Sequence, residues 1–151
     1  MAMVALHLLG APWLEVDGAE VHVGRRKAMA LLAYLAVTRR SHTRDALAAL
    51  LWPDLETSSA RGELRRHLSL LNQLLGGAGM EGDRETVRLN LDLGLWLDVA
   101  AFRAQLGACA GHGHPVTEVC PDCVALLEGA VALYTDPFMV GFTLEDSAAF
   151  D

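Results

Sequence analysis

The spacing of apolar residues changes period several times along this chain, and each change predicts an element. Residues 3–9 (Met-Val-Ala-Leu-His-Leu-Leu) read as a strand that Gly10-Ala11-Pro12 ends. Trp13-Leu-Glu-Val16 alternates as far as Asp17-Gly18, a pair suited to a two-residue hairpin turn. Residues 19–23 alternate again, with Val21 and Val23 on one face, so three short antiparallel strands come first. From about Arg25 to Val37 the period becomes helical, and Ala28, Leu31, Leu32 and Leu35 share a face that must be buried.

The stretch from Ser41 to Gly76 reads as two helices broken at Trp52-Pro53. Thr43 is a suitable N-cap for the first, and Asp45 in its first turn complements the helix dipole. Pro53 disfavours helical geometry at Trp52 and has no N–H to donate, so that helix stops there. The second helix starts near Glu56 and ends at Gly76-Gly77. On a wheel of about 100° per residue, Leu64, Leu68, Leu71 and Leu75 form one stripe, widened by Leu70 and Leu74. The opposite arc carries Arg61, Arg65, Arg66, Ser69, Asn72 and Gln73, with Ser58 near its start; the acidic Glu63 lies on the other flank. A leucine back and an Arg/Asn/Ser front supply the side chains that reach phosphates and base edges in the DNA major groove. An ordinary solvated helix face is the alternative.

After a glycine-rich turn, Thr86–Leu91 and Leu95–Leu97 are two candidate strands. A ribbon over 84–97, placed directly after a candidate recognition helix, is what a winged helix-turn-helix requires, and Arg84 and Arg88 would lie where such a wing touches the backbone. A plain hairpin closing the core is the alternative. Asp98 looks like an N-cap for a helix over Val99 to about Cys109, and a second helix is expected from about Pro121 to Tyr134. The pair suggests an αα-hairpin of the helical-repeat kind. The tail ends as though another helix were beginning, so the chain reads as the first part of something longer.

Charge sharpens this picture. The net charge of −7 argues at first sight against nucleic acid. Between Arg25 and Leu75, however, nine basic residues face four acidic ones, whereas after Asp98 a single basic residue faces seven acidic ones. A basic first part and an acidic last part suggest modules with different partners. Eleven of the twelve basic residues are Arg, which suits bidentate contact with phosphate and guanine and equally suits a GC-rich genome. The 52% hydrophobic content fits a folded protein. The longest apolar run, Ala28–Val37, is ten residues and too short to span a bilayer. The start lacks the basic region of a signal peptide, so a cytoplasmic protein without membrane contact is expected.

Two further screens bear on chemistry. Cys109, His112, His114, Cys120 and Cys123 fall within fifteen residues, a spacing compatible with a tetrahedral zinc site that would fasten one helix end to the next helix start. Cys109, Cys120, Cys123 and either His112 or His114 would be its ligands, in a structural role. Reduced buried cysteines and a Cys120–Cys123 redox pair are the alternatives; three cysteines do not suggest a structural disulfide in this compartment. No phosphate loop, GxSxG or HExxH occurs, and no catalytic constellation can be assembled, so an enzyme is not expected and no cofactor is required for function.

The residues Leu8-Leu9-Gly10, Val16-Asp17-Gly18, Leu31-Leu32-Ala33-Tyr34-Leu35, Arg44-Asp45-Ala46-Leu47, Leu51-Trp52-Pro53-Asp54 and Ala60-Arg61-Gly62-Glu63-Leu64-Arg65-Arg66, closed by Asp98-Val99 and Phe102, resemble the N-terminal DNA-binding domain of bacterial SARP-type transcriptional activators, an OmpR-type winged helix. Leu133-Tyr134, Phe138, Gly141-Phe142, Leu144 and Asp146-Ser147 resemble the opening of the bacterial transcriptional activator domain that follows it, which is built of TPR-like helical pairs. The resemblance implies an α+β winged helix-turn-helix over 1–97 and the first helices of an all-α activator domain over 98–151. It implies a sequence-specific activator whose recognition helix, about 57–75, enters the major groove. Arg61, Arg65, Arg66, Ser69 and Asn72 are its contact candidates, joined by Arg44, Arg84 and Arg88. By analogy the loop at about 52–56 touches RNA polymerase, and a second copy of the chain is a further candidate partner. The competing class is a protein-interaction module that uses the helical pair, with the winged fold merely structural.

Overall fold

The computed structural model describes residues 3–77, 79–90, 95–110 and 121–134, together with Asp136, Phe138, Met139, Phe142 and Leu144; at 108–110, 121–123 and 126 only the backbone is described. The elements run β1 (Val4–His7), β2 (Trp13–Val16), β3 (Ala19–Val21), α1 (Arg26–Thr38), β4 (His42–Thr43), α2 (Arg44–Leu51), α3 (Thr57–Leu74), β5 (Met80–Gly82), β6 (Thr86–Leu89), β7 (Trp96–Leu97), α4 (Asp98–Ala110) and α5 (Pro121–Leu133). Among the described residues no helix is long and apolar enough to cross a membrane.

The first sheet has the strand order β3-β2-β1-β7. Asp17 and Gly18 turn the β2–β3 hairpin with φ of 53° and 83°, the left-handed pair that a tight hairpin of this hand needs. Val4, Leu6 and Leu14 point inward and are buried, while His7 stacks on Trp13 at 3.9 Å between ring centroids on the other face. The inner face belongs to the same buried core as α1, whose Ala28, Leu31, Leu32 and Leu35 are fully buried, as their spacing predicts.

The helix-turn-helix follows local rules closely. Thr43 caps α2, its hydroxyl accepting the Ala46 N–H at 3.1 Å, and α2 ends one residue before Trp52-Pro53. Helix α3 ends at Leu75 and two left-handed glycines, Gly76 and Gly77, both at φ 89°. Leu64, Leu68, Leu71 and Leu75 are buried as a single stripe, and Leu70 and Leu74 pack half-buried beside it.

Strand β7 departs from the expected hairpin. It does not pair with β6; it lies parallel to β1, with Ala5 opposite Trp96 and Leu6 opposite Leu97. This pairing buries Leu97 and delivers Asp98 under the end of β1. The buried Asp98 carboxylate accepts the N–H groups of Leu8 (2.9 Å), Leu9 (2.8 Å) and Val99 (2.8 Å). Asp98 thus fastens the start of α4 to the first strand, a larger task than the local cap expected of it. The core does not stop there: Val99, Met139 and Leu144 join the same buried cluster as the first sheet and α1, and the Met139 N–H donates to the Leu8 carbonyl at 2.7 Å.

Candidate nucleic-acid interface

The wing is the hairpin of β5 and β6, residues 80–89, and the expected 84–97 hairpin is corrected accordingly. Its register places Met80 opposite Leu89, Glu81 opposite Arg88 and Gly82 opposite Val87, and β4 adds a third strand with His42 opposite Val87. Met-Glu-Gly has no alternating pattern, so β5 is held by its partner strand and not by its own propensity. Asp83 closes the turn: its Oδ1 accepts the N–H groups of Glu85 and Thr86, both at 2.8 Å. Those donors, the Thr86 N–H first, hold the Asp83 carboxyl below its ordinary pKa. Gly82 is required by close approach, because a Cβ there would overlap the Thr86 carbonyl oxygen.

Between α3 and this wing lies an open cleft of about 1080 Å³, into which Arg44, Ser58, Arg61, Arg65 and Arg84 project beside Glu56 and Asp83. A smaller groove continues it past Arg65 to Ser69, Asn72, Met80 and Glu81. The fold therefore gathers Arg44, Arg61, Arg65, Ser69, Asn72 and Arg84, drawn from three separate elements. Two sequence candidates lie apart from it. Arg66 lies on the flank of α3 and pairs with Glu63 at 2.6 Å, and Arg88 pairs across the hairpin with Glu81 at 2.8 Å.

The gathered residues differ in what already holds them. Arg44 Nε donates to the Asp83 carbonyl at 2.8 Å, and the Arg44 backbone N–H donates to the Glu85 carbonyl at 2.7 Å. Arg61 Nη2 donates to the Arg84 carbonyl at 3.2 Å, while its Nε lies 3.4 Å from Asp45 Oδ1. The polar arc of α3 carries no acid of its own, but α2 supplies one across the helix pair. Asn72 Oδ1 accepts the N–H groups of Gly79 (2.9 Å) and Met80 (3.3 Å) at the base of the wing. Arg65 and Ser69 are exposed, and neither side chain has a hydrogen bond or ion pair among the described residues.

Behind the cleft, two buried histidines brace the helices. Thr38 donates its one hydroxyl proton to the Tyr34 carbonyl (2.7 Å), so His42 Nε2 must donate to Thr38 Oγ1 (2.7 Å). His67 Nδ1 donates to the Glu63 carbonyl at 2.7 Å, and its ring meets Trp52 edge-on at 4.8 Å. Burial lowers both pKa values; Arg40 adds to the effect at His42, and at His67 the lowering outweighs the opposing Glu63 carbonyl. Thr38/His42 and Glu63/His67 each stand four residues apart, the one signal of these pairs that the sequence carries.

Of the zinc candidates, His112, His114 and Cys120 lie outside the described residues, as do the side chains of Cys109 and Cys123.

An N-terminal mixed sheet, three helices and a hairpin wing packed beside the third helix define an α+β winged helix of the OmpR-like kind. No family model matches the chain. Residues of the chain are 40% identical over 75 positions to the transcriptional regulatory protein EmbR of Mycobacterium bovis and of Mycobacterium tuberculosis. That match covers 49% of this chain and 19% of the relative's length. A solved structure of Mycobacterium tuberculosis EmbR, in complex with a low affinity phosphopeptide, superposes over 92% of this chain and 38% of that one, at a TM-score of 0.71 and 25% identity. The resemblance to the N-terminal region of SARP-type regulators thus extends to the fold, and the chain spans well under half of those proteins.

Proposed function

We propose that this chain is the DNA-reading part of a transcriptional activator, with α3 in the major groove and the β5–β6 hairpin on the flanking backbone. One observation carries the reading: the polar arc of α3 and the wing face one open cleft that presents Arg44, Arg61, Arg65 and Arg84 together. Such a cleft is built to straddle a phosphate ridge while a helix front reaches base edges. Similarity to a protein named as a transcriptional regulator supports it. The reading assigns the chain no reaction, places it in the cytoplasm, and keeps RNA polymerase at the 52–56 loop and a second copy of the chain as proposed partners.

The test is binding of the full chain to a randomised duplex, followed by fluorescence anisotropy at two salt concentrations. Each phosphate neutralised should contribute about −0.9 to the slope of log affinity against log salt. Binding that is absent at low salt, or indifferent to salt, would refute the reading.

Exposed Val131, Tyr134 and Val124 on and after α5 favour a second reading, in which the helical pair docks a protein. It predicts association that salt does not weaken. A structural zinc between α4 and α5, held by Cys109, Cys120, Cys123 and one of His112 and His114, is a separate proposal that rests on their spacing. Elemental analysis of the purified chain should find about one zinc per molecule, and none would remove it.

A further inference from the structure

We infer that Arg44, Arg61 and Asn72 are positioning residues that set the wing against α3, and that Arg65 is the α3 arginine left to read a base. The inference rests on the DNA-binding reading for its second half only. By residue type all four belong to one polar set, and by sequence all four were contact candidates. The structure divides them by what their polar atoms already do.

Arg44 and Arg61 reach successive parts of the same turn: one donates to the Asp83 carbonyl, the other to the Arg84 carbonyl. Asp45 holds Arg61 from the opposite side at 3.4 Å, so its guanidinium spans α2, α3 and the wing. At the other end of the hairpin, Asn72 Oδ1 takes the Gly79 and Met80 N–H groups where β5 begins. The wing is therefore pinned at its tip and at its base to one helix pair. The distance between the reading helix and the backbone-binding hairpin is thereby set before DNA arrives, which lowers the ordering cost of binding.

Arg65 lies between these pins. It projects into the cleft, and no carboxylate or carbonyl among the described residues engages its guanidinium. Its five N–H donors are free for the two acceptors of a guanine edge, the commonest specific arginine contact. The inference is thus that the recognised site has a G·C pair facing Arg65.

Hydrogen exchange of the free chain tests the positioning half without any DNA. Asn72→Ala should speed exchange of the Gly79 and Met80 amides by about tenfold, the effect of losing one hydrogen bond, while the core amides of α1 stay unchanged. Asn72→Asp keeps the acceptor oxygen and should restore protection. Arg44→Ala and Arg61→Ala should speed exchange around Asp83–Thr86 in the same local way, and Arg65→Ala should leave the whole wing unchanged. Wing amides indifferent to Asn72→Ala and Arg61→Ala, or disturbed by Arg65→Ala, would overturn the division.

DNA binding tests the other half. Arg61→Ala should weaken affinity with the salt slope unchanged, whereas an Arg61 that contacts phosphate would lose about 0.9 from that slope. Arg65→Ala should lose at least about tenfold in affinity for the selected site and relax the preference for guanine there. If the parent chain binds no DNA, the DNA-binding reading and the role of Arg65 fail together, while the exchange result still decides the role of the other three.

Discussion

Replacing Asp98 by alanine separates a helix cap from a staple that holds the fold together. Asp98 is 3% exposed, and its carboxylate accepts three N–H groups at 2.8–2.9 Å, two of them on Leu8 and Leu9, about ninety positions earlier in the chain. Loss of an N-terminal cap costs about 1 kcal/mol. Alanine here would also strand the Leu8 and Leu9 N–H groups in a buried setting, at about 1–3 kcal/mol each. The expected destabilisation is therefore about 3–7 kcal/mol, which at roughly 2–4 °C per kcal/mol lowers Tm by at least about 6 °C. Urea unfolding followed by tryptophan fluorescence measures it, with an unchanged m-value as the check that the same transition is compared. Asp98→Ser is the control, since serine can cap α4 locally but is too short to reach β1, and it should recover no more than about 1 kcal/mol. A loss near 1 kcal/mol for alanine, or full rescue by serine, would show that the link to β1 contributes nothing.

Two further outcomes follow from the same geometry. Gly82→Ala should cost about 1–3 kcal/mol and loosen the wing, because the new methyl overlaps backbone at Thr86 and not a yielding side chain; an unchanged urea midpoint would contradict it. Acidification should destabilise the chain through His42 and His67. Both have folded-state pKa values below the ordinary 6.5, so the unfolded chain takes up protons first, and their contribution is fully present above that value and is lost as pH falls below it. Between about pH 7.5 and about pH 5.5 the parent should lose more stability than a His42→Asn, His67→Asn double variant, and equal losses would contradict the assignment.

What the sequence made legible was what local chemistry decides. The Asp17-Gly18 turn, the Thr43 cap, the stop at Trp52-Pro53 and the leucine stripe of α3 each depend on neighbours within a few residues, and each stands where it was read. Long-range partnership was not legible. Trp96-Leu97 has the pattern of a hairpin strand, but it lies on β1, where Leu97 is buried opposite Leu6 and the next residue, Asp98, bonds Leu8 and Leu9. Met80-Glu81-Gly82 carries no strand signal, and its pairing with β6 makes it one. The candidate site shows the same division. A wheel places Arg61, Arg65 and Asn72 on one arc, but it cannot show that Asp45 comes from α2 to meet Arg61, nor that Asn72 is engaged by the wing. Arg66 was drawn in by its place on the wheel and Arg88 by its place on the expected wing, and the acids that hold them stand three and seven residues away in the chain.

The most direct test of the central claim is selection of duplex sites from a randomised pool by the full chain, repeated with Arg65→Ala. The account predicts that the parent enriches a defined motif, and that the variant enriches the same motif with one G·C position relaxed, at a cost of about 1–3 kcal/mol for the parent site. An unenriched pool, or an identical motif and affinity from parent and variant, would mean that the front of α3 does not read DNA.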